Sequence, residues 1–332
     1  MDILTMIDKQ ELREFSENLA YQTNFMGDKL FTSEKTLNLK AAVRSAMEGA
    51  TIPVMAQVHS LDSEARIGDR PNFTELEFEK LFIKEKINTT ERISLFKADG
   101  ASNSAIKRFV FDDIANMVSR VLTRNEVMRM ELLSTGKITI KENNVNTTVD
   151  YKVPATNFIS LGNWSNADFD ILADLKKVQK VMKAKGYSAV RALTTSGVIE
   201  MMSANNGIKA YWANVNVPMT ESNMLAWIND NFKIEFVAND EVYKTKLSNT
   251  KVEPFFKANT IAFLPTKGII GKGLFGVTPE ELELGEVSQR MKVAVTQWKT
   301  PDPVAVWTKA SELYLPVLND PNGLFIGTIA TA

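Results

Sequence analysis

The sequence contains no cysteine and a single histidine, His59. The first absence excludes disulfides, thiolate metal sites and thiol nucleophiles, and the second leaves almost no imidazole chemistry. No window approaches the roughly 18 uninterrupted apolar residues of a membrane-spanning helix. Neither charge sign dominates: Lys plus Arg number 39 against 40 Asp plus Glu, so no basic field is available to hold nucleic acid sequence-independently. The start, MDILTMIDKQELREF, is acidic and amphipathic and lacks the basic segment, apolar core and small-residue cleavage site of a secretion signal. These absences predict a soluble cytosolic chain. What is present is an ordinary balance, 44% apolar and 24% charged over 332 residues, enough for a full core and about two domains.

The stretch between Gly100 and Gly136 holds neither glycine nor proline. Ile106, Val110, Ile114, Met117, Val121, Met128 and Leu132 advance in steps of three, four or seven, which sets them on one side of a helix. Asn103 or a neighbouring serine can cap its start, and Gly136 can take the left-handed conformation at its end. The spacing predicts a helix over 102–134, about 50 Å long. Its apolar stripe breaks at Arg124 and Asn125, where solvent or a neighbour is expected to meet the rod.

Ahead of it, Asp8–Ala20 reads as a short amphipathic helix and 26–51 as an extended arm. TIPVMAQV reads as a strand, HSLDSEARIGDRPNF as a turn region, and FTELEFEKLFIKEKI as the returning strand of a long hairpin. In that return Leu76 and Phe78 share one parity while Leu81, Ile83 and Ile87 share the other. Such a switch fits a bulge or twist and predicts that half of the hairpin is covered by a different neighbour. After the long helix, KITIKENNVNTTVDYKV reads as a second hairpin around Glu142, Asn143 and Asn144. From Asp168 short helices and strands alternate in an α+β pattern. The final strands are expected to return to the long helix.

Several motifs invite chemistry. Gly271, Gly273 and Gly276 match G-x-G-x-x-G, the dinucleotide pattern, but Pro265 and Lys267 interrupt the approach and no βαβ unit follows; the expectation is a turn-rich loop. His59, Ser60 and Asp62 hold triad residue types without the convergence a triad needs. Glu280, Glu281 and Glu283, behind Thr278 and Pro279, read as first-turn helix acids. Phe73, Phe78 and Phe82 lie among Arg70, Lys80 and Lys84, yet Glu75, Glu77 and Glu79 interleave and would repel a phosphate backbone. Alternating charge of this kind sets partner choice.

The order of an N-terminal arm, a hairpin carrying AQVHSLDSEARIGDR, a helix ending NEVMRMELLSTGKITIKENNV, a small α/β region and a terminal DPVAVWTKASELYLPVLNDPNGLFI resembles the phage major capsid protein E family. That is the lambda-like branch of the Hong Kong 97 (HK97-like) shell fold, an α+β class. The resemblance implies an N-terminal arm over 1–50, an extended loop over 51–97 lying on a neighbouring subunit, a peripheral domain over 98–155 and 300–332, and an axial domain over 156–299. It places the 136–153 hairpin and the C-terminal segment in the peripheral sheet, and the glycine loop near the centre of a pentamer or hexamer. The function implied is a major capsid protein that self-assembles into an icosahedral head enclosing viral DNA, with no catalytic, cofactor or metal residues. Implied partners are copies of itself, packaged DNA bound non-specifically, a separate scaffold and a portal, with no membrane; the resemblance leaves the presence of a decoration protein open. Implied localisation is the virion, assembled in the host cytoplasm. The interface residues it suggests are Arg66, Arg70, Glu75, Glu77, Glu79, Lys80, Lys84, Gly271, Gly273 and Gly276. An encapsulin-type nanocompartment shares the fold and is the nearer alternative; a nucleotide-binding enzyme using the 271–276 glycines is the more distant one.

Overall fold

Residues 26–46 are more structured than their loose pattern predicts. The structure, a computed structural model, describes residues 8–19, 24–46, 51–56, 58–59, 61, 64, 73–88, 100, 102–213, 218–285, 287–301 and 304–330. Helix α1 (Lys9–Leu19) is followed by the single turn α2 (Met26–Leu30), strand β1 (Phe31–Lys35) and strand β2 (Lys40–Ala46). Leu30 and Phe31, expected on an extended arm, are 0% and 1% exposed. Burying two such side chains favours the folded arm by about 1.5–3 kcal/mol each.

The expected partner of the returning strand is also corrected. Residues 51–56 and 58 are not in a strand. Instead β3 (Phe73–Glu79) pairs with β2 in a two-stranded ribbon, and β4 (Leu81–Asn88) pairs with a strand from the far end of the chain. The parity switch falls at Lys80, which belongs to neither strand.

Helix α3 (Asn103–Thr135) runs for 33 residues, within one residue of its predicted span. The Ser102 hydroxyl accepts from the Ala105 N–H at 3.3 Å to cap it. Gly136, at φ 73, ends it in the left-handed region that a side chain would strain. Strands β5 (Lys137–Glu142) and β6 (Val145–Asp150) follow, joined through Asn143 and Asn144 at φ 49 and 64, the two-residue turn that matches strand twist. This hairpin forms a two-stranded sheet of its own and does not join the C-terminal segment as expected.

Next come β7 (Phe158–Leu161), α4 (Ile171–Ala184), β8 (Arg191–Thr194), α5 (Ser196–Ala204), α6 (Asn206–Trp212), α7 (Glu221–Phe232) and β9 (Glu235–Ala238). Asp170 and Thr220 side chains cap α4 and α7 by accepting from Ala173 N and Asn223 N. The short pair β10 (Val242–Tyr243) and β11 (Glu253–Pro254) precedes β12 (Thr260–Leu264), β13 (Gly271–Phe275), helix α8 (Pro279–Glu283), β14 (Ala294–Pro301), β15 (Val304–Leu318) and β16 (Phe325–Ile329).

The chain divides into two compact units. One comprises Met1–Ala41, Glu77–Arg129 and Gly271–Val317. Its five-stranded sheet runs β1-β13-β15-β14, with β4 also paired to β15. Leu12 of α1 and Ile106, Val110, Ile114, Met117 and Val121 of α3 pack on Val295, Val306 and Ala310 of that sheet. The other comprises Ala42–Leu76, Met130–Ile270 and Leu318–Ala332, built on a sheet ordered β7-β16-β12-β8-β9 under α4 to α7. The C-terminal segment therefore serves both sheets: β15 returns to α3 as expected, while β16 lies between β7 and β12.

The glycine-rich segment is a strand, which overturns the expected loop. Gly271–Phe275 is β13, parallel to β1, in the sheet that packs under α3. A Cβ at Gly271 would lie 2.3 Å from the Val317 carbonyl, and one at Gly273 would lie 2.8 Å from the Tyr314 hydroxyl. The glycines admit neighbouring atoms of this sheet, leaving no cradle for a pyrophosphate.

Candidate subunit interface and buried charge cluster

Residues 51–61 expose apolar side chains that their own chain leaves uncovered. Val54 is 95% exposed, Met55 87%, Val58 100% and Leu61 95%. On the solvated ribbon nearby, Phe73 is 65% exposed. Scattered exposed apolar residues are ordinary, whereas a run of them on one irregular segment makes it a candidate interaction surface.

The acidic face of the ribbon follows from strand alternation: Glu75, Glu77 and Glu79 all point to solvent. Glu77 accepts from Lys40 at 3.1 Å and Glu75 from Arg44 at 3.4 Å. Both pairs are exposed, so they contribute little to stability. Glu79 has no ion-pair partner among the described residues.

Lys80 has a different role from the one the sequence suggests. It is 4% exposed, and its ammonium donates to Thr36 Oγ1 at 2.5 Å, the Asn38 carbonyl at 2.6 Å and the Phe275 carbonyl at 3.3 Å. Burial holds its pKa below the ordinary lysine value, and the positive charge of Lys35 adds to that. With the Thr36 carbonyl at 3.4 Å these make four acceptors and no carboxylate, which satisfy the donors of an ammonium without neutralising it. Lys80 thus ties β1, β13 and the start of β4 together, and is withdrawn as an interface residue. Lys84 remains exposed on β4. Gly271, Gly273 and Gly276 are buried and are withdrawn as well. Arg66 and Arg70 lie outside the described residues, as do Ser60 and Asp62.

The polar break in α3 faces inward. Asn125 is 1% exposed and its amide donates to both carboxylate oxygens of Glu312, at 3.0 and 3.1 Å. One turn on, Arg129 donates to the Tyr314 hydroxyl at 2.6 Å and to Asp28 at 2.7 Å, with Glu126 at 3.4 Å. Burial pushes the Glu126 carboxyl up to about 7 against the opposing pull of Arg129 and the Gly27 N–H. Burial likewise raises Glu312 to about 8. The arm turn α2, the long helix and β15 meet at these residues. No motif signals this cluster, because its members lie as far apart in sequence as Asn125 and Glu312.

The acids of α8 are structural. Glu281 accepts from the Lys35 ammonium at 2.5 Å, while Glu280 pairs with Lys309 and accepts from the Ser311 hydroxyl at 2.8 Å. Burial alone would raise Glu280, but these contacts hold it below the ordinary carboxylate value. Among the described residues no group of three or more His, Cys, Asp or Glu could hold a metal ion, and no helix is long and apolar enough to cross a membrane.

The family model for phage major capsid protein E matches residues 9–329. No curated protein sequence is significantly similar to the chain. Among solved structures, a protein assigned as the capsid protein of a prophage in E. coli CFT073 is similar with a TM-score of 0.64 at 12% identity, over 98% of this chain and 99% of that one. A phage-related protein from Bordetella bronchiseptica RB50 gives a TM-score of 0.55 at 10% identity, over 95% and 96%. A chain of the satellite phage P4 procapsid gives 0.51 at 9% identity, over 98% and 92%. At these identities the likeness shows the fold, which is the HK97-like capsid fold.

Proposed function

This chain belongs to the phage major capsid protein E family, and from that premise we propose how its surfaces build a shell. It is a shell-forming structural protein of the virion. In our reading, the unit holding β13, β14, β15, β4 and most of α3 is the peripheral domain. The unit holding the β7-β16-β12-β8-β9 sheet is the axial domain, grouped around the centres of hexamers and pentamers. Residues 51–79 project as the loop laid over a neighbouring copy and β4 returns the chain to the peripheral sheet, with Arg66, Arg70, Glu75, Glu77, Glu79 and Lys84 at that contact. The shell encloses viral DNA held non-specifically. It assembles in the host cytoplasm on a separate scaffold and around a portal. It carries out no catalysis, and its work is done by contacts that closed symmetry multiplies.

The observation that carries this reading is the uncovered run Val54, Met55, Val58 and Leu61. Covering each on a neighbour favours assembly by about 1.5–3 kcal/mol, a large term when repeated around a closed shell. Replacing all four by serine is expected to abolish particles seen by electron microscopy while the circular dichroism of the soluble subunit stays unchanged. Particles at normal yield would remove the loop from the contact.

A further inference from the structure

The outer face of the β14-β15-β4 sheet, opposite the side packed on α1 and α3, carries an unassigned basic and aromatic shelf. Strand pairing sets its rows. Lys86 lies opposite Lys309, which lies opposite Thr296; Asn88 lies opposite Trp307, which lies opposite Trp298; Lys84 lies opposite Ser311. Alternation sends Ile83, Glu85 and Ile87 to the other face, where Ile83 and Ile87 join the core and Glu85 pairs with Arg120 of α3. The acid that sits between the lysines in sequence is thus paired with Arg120 and not with them. The Lys86 ammonium lies 4.6 Å from the centroid of the Trp307 ring, and the Lys84 ammonium 5.1 Å from that of Phe82. Neither lysine has a carboxylate partner among the described residues. Lys84, Glu85, Lys86, Trp298 and Lys309 line a shallow cavity of about 380 Å³, with the Glu85 charge engaged by Arg120.

We infer that this shelf receives the acidic face of β3 from a second copy of the chain, an inference that rests on the capsid reading. Three observations select that occupant. Glu75, Glu77 and Glu79 stand on alternate residues of an exposed strand, and so do Lys84 and Lys86; the two rows share the strand repeat of about 6.8 Å. Among the described residues Glu79 and both lysines lack ion-pair partners, while Glu75 and Glu77 are held by exposed pairs that a neighbour can exchange. Phe73, 65% exposed on the same face as the glutamates, supplies an aromatic ring for the half-buried Trp298 and Trp307. A strand that gives and a strand that receives, on different surfaces of one chain, make a head-to-tail contact that closes into rings or continues from copy to copy. A polyanion such as DNA fits less well, because Lys309 is neutralised by Glu280 and two free cations make a small electrostatic footprint.

The test uses charge exchange in the full-length chain. Lys84→Glu with Lys86→Glu, and separately Glu77→Lys with Glu79→Lys, are each expected to lower particle yield by at least about tenfold while leaving the subunit folded. All four substitutions in one chain restore complementarity and are expected to recover most of the yield. Because the protein has no cysteine, a second readout is clean: chains carrying Glu79→Cys and chains carrying Lys84→Cys, mixed and oxidised, are expected to form the mixed disulfide dimer in preference to either like pair. Normal particles from the lysine variant, no recovery in the fourfold variant, or no preference for the mixed dimer would overturn the inference. Normal particles with reduced DNA content would overturn it in favour of nucleic acid. Absence of particles from the unmodified chain would count against the capsid reading, and the mixed-dimer result would still decide the contact.

Discussion

The Gly27 backbone N–H donates to Glu126 Oε1 at 2.8 Å, joining residues 99 apart in sequence deep inside the molecule. A Cβ at Gly27 would fall 2.3 Å from Glu126 Oε2 and 2.6 Å from Arg129 Cδ. The Glu126 carboxylate and the Arg129 side chain are both fixed by their own buried contacts, so neither can give way cheaply.

Gly27→Ala is therefore expected to destabilise the subunit by about 1–3 kcal/mol through overpacking. Chemical denaturation of the unassembled subunit measures this directly. A midpoint unchanged from the unmodified chain would show that the arm turn is not held against α3 by this contact.

The same cluster predicts a pH dependence of stability. Burial holds Glu126 at about 7 and Glu312 at about 8 in the folded chain, above the ordinary carboxylate value of 4.5. The folded state thus keeps protons that the unfolded chain has released. Their contribution is fully present below about pH 4.5 and is lost as pH rises through about 7 and then about 8. Lys35, Lys80 and Lys292, each lowered by burial, act in the opposite sense at higher pH, where losing their protons favours the folded chain. Glu312→Gln keeps an acceptor for Asn125 and removes one titration. Its thermal midpoint is expected to fall less between about pH 5 and about pH 9 than that of the unmodified chain, in which the lysine terms are shared. Parallel curves for the two proteins would contradict the assignment.

Asn157 stitches the end of the chain into its sheet. Its buried amide donates to the carbonyls of Asn322 and Leu324 at 2.8 and 2.9 Å and accepts from the Lys185 ammonium at 2.6 Å. Asn157→Ala leaves two buried carbonyls without donors and is expected to cost about 2–4 kcal/mol. Faster hydrogen exchange in Phe325–Ile329 is the specific signature. A loss of stability without that change would place the cost elsewhere.

Local rules read well from sequence where a single element determines its own pattern. The long helix, the Asn143-Asn144 turn and the Thr278-Pro279 helix start all follow from spacing or backbone preference, and the structure has them. The order of elements along the chain also sufficed to find the family. What local pattern could not show was which distant strand completes a sheet. Gly271, Gly273 and Gly276 look like loop residues until Phe31 and Tyr314 are brought against them. Asn125 looks like a solvent break until Glu312, on β15, fills the space beside it. Ala41 and Val43 of β2 are buried, but their short, small-residue run carries too weak an alternation to announce a strand. In the candidate interface, the acidic alternation of β3 was legible, whereas the sorting of Lys84 and Lys86 away from Glu85 required the register of β4 on β15.

Lys80 stands alone between two strands that belong to different ladders, β3 with β2 and β4 with β15. At this joint the backbone keeps one hydrogen bond, from the Lys80 N–H to the Leu39 carbonyl at 3.0 Å, and the ammonium adds its bonds to Thr36, Asn38 and Phe275. Taking that ammonium away would leave a single backbone bond at the joint, so one buried side chain fixes the course of the chain between two ladders.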